Sequence, residues 1–263
     1  MTNKTWQMFL VVSVVSMMLA SSAGAAVVTD GLVSWWKLDE GTGTDAFDTA
    51  SAGNNNTGTL SGDADWTSTV PGAASSSAVT FDGDGDYVEV PNDASLQITG
   101  AITIEAWIYA RSLGSHPGLV EKALGSDKGS YGLRIENGNI FSNFRTSSGW
   151  FGYSGSALST DKWYHVAVTY NDAADEMRFY IDGSPDAVHT VTASIKTYDD
   201  PIRFGYQTYY NESFDGIIDE VRIYNRALGA SEIEQNYNSI PEPGTMVLLG
   251  IGAAGLLIRR RRS

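Results

Sequence analysis

Asp219 and Glu220 are adjacent acids in a strand-like run, Phe214 to Leu228, and their spacing limits the chemistry open to them. Hydrolysis of a glycosidic bond needs two carboxyl groups across one scissile bond. Residues on one face of a strand are two apart, so adjacent acids point to opposite faces. The intervals around Glu105 and Glu89 hold no matching acid. Any hydrolytic pair would therefore have to be drawn from different strands. The sequence has no Gly-x-Ser-x-Gly elbow and no phosphate-binding glycine loop of the usual spacing. It has no cysteine and three histidines, of which His165 shares a face with Trp163, Ala167 and Thr169 in a strand pattern. A hydrogen-bonded structural histidine is expected there, rather than a zinc ligand or a catalytic base.

Two other groups of residues bear on binding. The strand predicted within 214–228 sets Ile217, Asp219, Val221 and Ile223 on one face, and Ile218, Glu220, Arg222 and Tyr224 on the other. Glu220 can pair with Arg222, but Asp219 is a carboxylate among apolar neighbours and must be paired, coordinated or neutral. The aromatic stretches Gly149 to Tyr153 and Tyr206 to Glu212 put Trp150, Phe151, Tyr153, Tyr206, Tyr209 and Tyr210 beside short polar side chains, as sugar recognition requires. The alternative for Trp150 and Phe151 is a place in the core near a hairpin.

Composition narrows the classes further. The 263 residues carry a formal charge of −14. Setting aside Lys4, Arg259 to Arg262 and Glu242 leaves 12 basic and 30 acidic residues, a field that repels nucleic acid and attracts cations. Many glycines, 11% aromatic residues and only 18% charged ones point to an all-β protein rich in turns. Without cysteine, stability must come from packing or from a bound ion.

The ends read as targeting segments. Residues 1–26 have a basic start at Lys4, an apolar run from Met8 to Leu19 and small residues up to Ala26, the order of a secretory signal peptide with cleavage after Ala25 or Ala26. At the other end, Pro241-Glu242-Pro243-Gly244 precedes an apolar run from Thr245 to Ile258 and the cluster Arg259 to Arg262, a stop-transfer pattern short for a permanent span. This order, with its literal Pro241, Glu242 and Pro243, resembles the PEP-CTERM sorting signal. The resemblance implies an exosortase-type processing enzyme as a partner and at least transient membrane contact through the C-terminal helix. It also implies export to the envelope, surface or matrix of a Gram-negative-type bacterium. A plain tail anchor is the alternative. The division expected is a signal peptide at 1–26, one domain at 27–240 and a sorting segment at 241–263.

Between the ends, Leu32 to Glu40 alternates as a first strand with Leu32, Ser34, Trp36 and Leu38 on one face. Gly41 to Asp65 reads as a long loop. Ala78 to Val90 reads as two short strands about a Gly-rich turn. Asp82, Asp84 and Asp86 have the spacing of an EF-hand start, but Tyr87 stands where such a loop needs Gly, so they are assigned to the turn. Ile102 to Tyr109 is a central strand with Ile102, Ile104, Ala106 and Ile108 on one face, and Thr103, Glu105, Trp107 and Tyr109 on the other. Asn137-Gly138 joins a hairpin, Trp163 to Tyr170 and Met177 to Gly183 form a further pair, and Ser231 to Glu234 supplies a capping box for a terminal helical turn.

The runs F-D-G-x-x-D-Y-V, W-x-H-V-A, Y-I-D-G and G-I-I-D-E-V-R-I-Y-N-R-A-L, in this order along residues 28–238, resemble the laminin-G-like jelly rolls of the concanavalin A-like group. The resemblance implies a two-sheet antiparallel jelly-roll β-sandwich, in which F-D-G-x-x-D-Y-V is a hairpin and the Trp107 face belongs to a concave sheet. It also implies that the first and last strands are neighbours. Asp48 would then come near Asp219, and the two would serve one structural calcium ion, the hard cation suited to oxygen ligands. Pairing of Asp219 with Arg226 or with backbone N–H groups is the alternative. In function the leading expectation is a lectin-like binding module for polysaccharide or another extracellular ligand. A glycoside hydrolase of the same fold, and a passive structural matrix protein, remain open.

Overall fold

The computed structural model describes residues 25–50, 53–123 and 129–240. The signal and sorting segments expected at the termini fall almost wholly outside these residues. In chain order the strands are β1 (Leu32–Trp36), β2 (Asp45–Ala46), β3 (Gly58–Ser61), β4 (Asp65–Thr67), β5 (Ala78–Asp82) and β6 (Tyr87–Val90). Then come β7 (Ala101–Ala110), β8 (Gly118–Lys122), β9 (Tyr131–Glu136), β10 (Asn139–Thr146), β11 (Gly149–Ala157) and β12 (Trp163–Asn171). The last are β13 (Glu176–Ile181), β14 (Ser184–Thr190), β15 (Ile202–Phe204), β16 (Tyr206–Gln207), β17 (Glu212–Ser213) and β18 (Asp215–Tyr224), followed by helix α1 (Ala230–Tyr237).

These strands make two large antiparallel sheets and a small third one of β16 and β17. The first has the order β14-β13-β12-β7-β18-β5-β4 with β1 also on β18, and the second the order β11-β10-β9-β8-β15-β6-β3-β2. The first and last strands are neighbours as expected, through pairs such as Trp36 with Val221. Alternation drives the layering: Ile102, Ile104, Ala106 and Ile108 of β7 meet Leu133, Ile135, Ile140 and Phe144 of the second sheet in one buried core, where Trp36 and Phe204 touch edge to face at 5.0 Å. The expected β9–β10 hairpin turns on Asn137 and Gly138, both with positive φ (48° and 82°), the conformation that a two-residue turn of this hand demands.

Four expectations are corrected by the pairing. The run Ala78 to Val90 is not a hairpin: β5 pairs with β4 and β18 in the first sheet, β6 with β3 and β15 in the second, so the Gly83-Asp84-Gly85 turn carries the chain from one sheet to the other. The stretch read as a long loop contains β2 and β3 and leads directly into β4. In β18 the register shifts between Asp219 and Arg222, and Glu220 takes a left-handed backbone (φ 53°). This bulge breaks the simple alternation. Ile218, Val221 and Ile223 enter the core, while Ile217 and Asp219 stand opposite Tyr109 and Trp107. In β1 a similar shift after Leu32 sends that residue to a second cluster, with Tyr224, Leu228 and Ile233, on the outside of the first sheet.

That second cluster marks where α1 lies. The helix is capped two residues before the expected capping box, by Gly229, whose N–H donates to Glu232 Oε2 at 2.9 Å. Its Tyr237 stacks on Trp107 (5.5 Å between ring centres), and its Asn236 donates to Glu105 at 2.9 Å. The face of Thr103, Glu105 and Trp107 is therefore a buried seam and not an open concave surface, and all three side chains are fully covered. His165 lies in the same seam. A hydrogen-bonded histidine was expected, but neither ring nitrogen has a hydrogen-bond partner, and Glu105 Oε2 is 3.7 Å from Nε2. Burial first, and then the nearby Arg222 charge, push its pKa down to about 3, so the ring is neutral.

Candidate functional site

The outer face of the second sheet carries a cleft. On β9 and β10 the residues alternating with the core set are Arg134, Phe141, Asn143 and Arg145, and β11 pairs Arg145 with Trp150 and Asn143 with Gly152. The segment that follows β15 folds over this face and contributes Gln207, Tyr209 and Tyr210. Together with Ala123, these residues line a depression of about 440 Å³. Two glycines make it possible. A Cβ on Gly152 would fall 2.2 Å from the Phe141 ring, and one on Gly132 would fall 2.0 Å from Glu121 Oε2, so both side chains lie where only glycine leaves room.

The floor is polar and the rim aromatic. Arg134 is almost wholly buried; it donates to Asn143 Oδ1 at 3.2 Å and to Glu136, and its Nη1 is 3.7 Å from Glu121 Oε1. Its guanidinium lies 4.3 Å from the centre of the Phe141 ring and 5.7 Å from that of Tyr210. Beneath it, Glu121 is buried with no hydrogen bond to either oxygen, and desolvation, partly offset by Arg134, pushes its pKa up to about 7. On the rim, Trp150, Tyr209 and Tyr210 are 37%, 55% and 43% exposed, three of the large apolar side chains that the fold leaves facing solvent. Tyr210 is held by His116 stacked at 3.8 Å and by its N–H, which donates to Gln207 Oε1 at 2.9 Å.

Of the six aromatic residues singled out from the sequence, this cleft brings together Trp150, Phe151, Tyr209 and Tyr210. Phe151 borders it from the opposite face of β11, in register with Phe144. Tyr153 and Tyr206 are elsewhere. Tyr153 stacks on His189 of β14 at 4.6 Å, and Tyr206 packs against Tyr87 and donates to Asn211. The polar residues of the site, Arg134, Asn143 and Arg145, were not foreseen. Their signal was present, since the hairpin at Asn137-Gly138 and the alternation of β10 place Asn143 and Arg145 on the outward face.

The two carboxylates expected to hold calcium are engaged separately. Asp48 Oδ1 accepts the N–H groups of Trp35 and Ala50 at 2.9 and 3.0 Å, and its Oδ2 is buried without a partner. Asp219 accepts from Ser75 Oγ at 2.6 Å and from the Glu220 N–H at 2.9 Å, while Arg226 pairs with Glu232 and Asp30 instead. Burial, with the negative charges of Glu220 and Asp39, raises the Asp219 pKa well above the carboxylate range. A different trio, Asp63, Asp82 and Asp86, has oxygens within 4.8 Å of one another, but Asp86 accepts the N–H groups of Asp63 and Asp82, and Asp82 that of Asp84, the turn role expected of them.

Residues 82–234, more than half of the chain, match the model of the concanavalin A-like lectin/glucanases superfamily in its laminin-G form. The chain belongs to this family. Residues 239–262 match the PEP-CTERM protein-sorting motif, which marks an exported protein of Gram-negative-type bacteria. Among curated proteins, adhesion G-protein coupled receptor V1 of Danio rerio is 25% identical over 180 residues, covering 63% of this chain and only 3% of the receptor. Among solved structures, the binding domain of Paraclostridial Mosquitocidal Protein 1 is 21% identical with a TM-score of 0.65, over 80% of this chain and 52% of that one. Domain 4 of an extracellular arabinanase of Geobacillus stearothermophilus, in complex with arabinotriose, is 20% identical with a TM-score of 0.61, over 78% of this chain and 98% of that domain. Trypanosoma rangeli sialidase is 20% identical with a TM-score of 0.60, over 90% and 39% of the two chains. At such identities these likenesses establish the jelly-roll sandwich alone. Among the described residues no helix is long and apolar enough to cross a membrane. The sorting residues Pro241, Glu242 and Pro243 and the C-terminal apolar run lie outside the described residues.

Proposed function

We propose that this exported chain is a lectin-like, non-catalytic module that binds polysaccharide in the cleft between β10, β11 and the Gln207 to Tyr210 segment. The observation that supports this reading is the pairing of exposed rings with a polar floor: Trp150, Tyr209 and Tyr210 stand around Asn143, Arg134 and Gln207 in a depression of about 440 Å³. Sugars present apolar C–H faces and a girdle of hydroxyls, which such rings and amides match. Glu121 and Glu136 both face Arg134, and Glu121 lies buried beneath it, so neither carboxylate is offered to a scissile bond. After processing by an exosortase-type enzyme, the module is displayed on the cell surface or in the surrounding matrix.

Replacing both Trp150 and Tyr209 by Ala should weaken retention of the full-length protein on immobilised polysaccharide by about thirtyfold or more, as loss of anchoring aromatic residues does. The circular dichroism spectrum should be unchanged. Retention equal to wild type would overturn the assignment. The calcium ion expected at Asp48 and Asp219 is kept as a proposal for Asp219, where Asp39 and Glu220 add negative charge. Chelation should lower the melting temperature, calcium should restore it, and Asp219→Asn should remove the response; superimposable melting curves with chelator and with calcium would exclude the ion.

A further inference from the structure

The sugar-binding reading leaves one group in the cleft unexplained. Arg145 is on its wall, its guanidinium 5.6 Å from the centre of the Trp150 ring, and its Nε is buried with no hydrogen-bond partner. Among the described residues Arg145 makes no salt bridge, in contrast to Arg134, which is held by Glu136 and lies beside Glu121. A buried guanidinium N–H left unpaired is costly, and guanidinium cannot shed its proton to escape that cost. Lys196, whose N–H donates to Arg145 O at 2.7 Å, likewise makes no salt bridge among the described residues, and both cations lower the pKa of the Tyr198 hydroxyl beside them. A chain with a net charge of −14 thus carries a local positive spot at the edge of its aromatic cleft.

Resting on that sugar-binding reading, we infer that the cleft takes a carboxylate-bearing sugar, with the carboxylate on Arg145 and the ring stacked on Trp150. The planar fork of a guanidinium matches a carboxylate through two parallel N–H bonds, and the fixed distance between Arg145 and Trp150 matches a ring that carries its acid group on a neighbouring carbon. A neutral sugar fills the same cleft and offers the Arg145 guanidinium no counter-charge. Because the protein as a whole repels polyanions, attraction to one has to be local to this spot.

Immobilised polygalacturonate and the same polymer fully methyl-esterified differ in that charge and in the methyl group that masks it. The full-length protein should be retained about tenfold more strongly by the acid than by the ester, and rising salt should erode the difference. Arg145→Gln should abolish the preference, Arg145→Lys should keep part of it, and Trp150→Ala should weaken retention on both polymers, with circular dichroism confirming the fold of each variant. Equal, Trp150-dependent retention on acid and ester would overturn the inference while leaving the sugar-binding reading in place. A preference for the acid that survives in Arg145→Gln, or retention on neither polymer, would also overturn it.

Discussion

Arg222→Ala should destabilise the domain by about 3–5 kcal/mol at neutral pH, enough to leave much of it unfolded near physiological temperature. Arg222 is fully buried in β18, where Nη1 donates to Glu105 Oε1 at 3.0 Å, Nη2 donates to Glu220 Oε2, and the guanidinium lies 4.8 Å from the centre of the Trp35 ring. Burial first, with a neighbouring carboxylate in each case, raises the pKa of both glutamates, and the Arg222 charge is the largest influence that opposes the rise. Without it the seam beneath α1 holds two buried carboxyl groups and no cation to offset them. Hydrogen bonds from Asn236 to Glu105 and from Trp35 to Glu220 remain, but cannot supply the missing charge. The deficit should shrink toward pH 5, where the two groups take up protons. Chemical denaturation at pH 7 and pH 5 measures both effects. A triple variant, Arg222→Met with Glu105→Gln and Glu220→Gln, should recover most of the loss, because it removes the charges together with their partner. If Arg222→Ala melted with the wild type, the seam would not be the electrostatic keystone described above.

Glu121→Gln should act in the opposite direction, raising stability at pH 8 relative to pH 5 by up to about 3 kcal/mol. The Glu121 pKa is raised from its usual 4.5 to about 7, chiefly by desolvation. A carboxyl group whose pKa is higher in the folded state favours folding while it is protonated. That contribution is fully present below the unfolded value and is lost as pH rises through the folded one, so in the wild type this group makes stability fall between about 4.5 and 7. Glutamine fills the same space over Gly132 and carries no such slope. Arg134 keeps Glu136 and Asn143 in the variant, so its own charge stays compensated. Melting temperatures of wild type and variant should diverge with rising pH. Parallel profiles would mean that Glu121 titrates at its ordinary value.

Much of the layering was legible because it depends on period and turn chemistry. Ile102 to Tyr109 alternates cleanly, Asn137-Gly138 forces a tight hairpin, and Trp163 to Tyr170 pairs with the strand that follows it in the chain. What was not legible depends on partners distant in sequence. Nothing local to Ala78 to Val90 says that its two strands belong to different sheets. The left-handed Glu220 inverts the face assigned to Asp219, and the sequence gives no sign of it, since a bulge there needs no glycine when Arg222 and Trp35 hold the carboxylate. Within the cleft, the aromatic half stood out by composition. Arg134, Asn143 and Arg145 did not, because isolated polar residues on an outward strand face look like ordinary surface until Gln207 to Tyr210 fold over them.

The N-terminal segment and α1 are fastened to each other. Ala25 N–H donates to Asn238 O at 3.2 Å, Val28 N–H to Asn236 Oδ1 at 2.8 Å, and Gln235 Nε2 to Ala26 O at 2.6 Å. Both ends of the domain therefore leave from the outside of the first sheet, and the sorting motif begins at residue 239, two residues beyond α1. The cleft opens on the outside of the other sheet, with the full thickness of the sandwich between. If, on the proposed reading, the motif joins the domain to a membrane, attachment and recognition would point in opposite directions. The sheet covered by α1 would then be turned toward the cell, and Trp150, Tyr209 and Tyr210 toward whatever surrounds it.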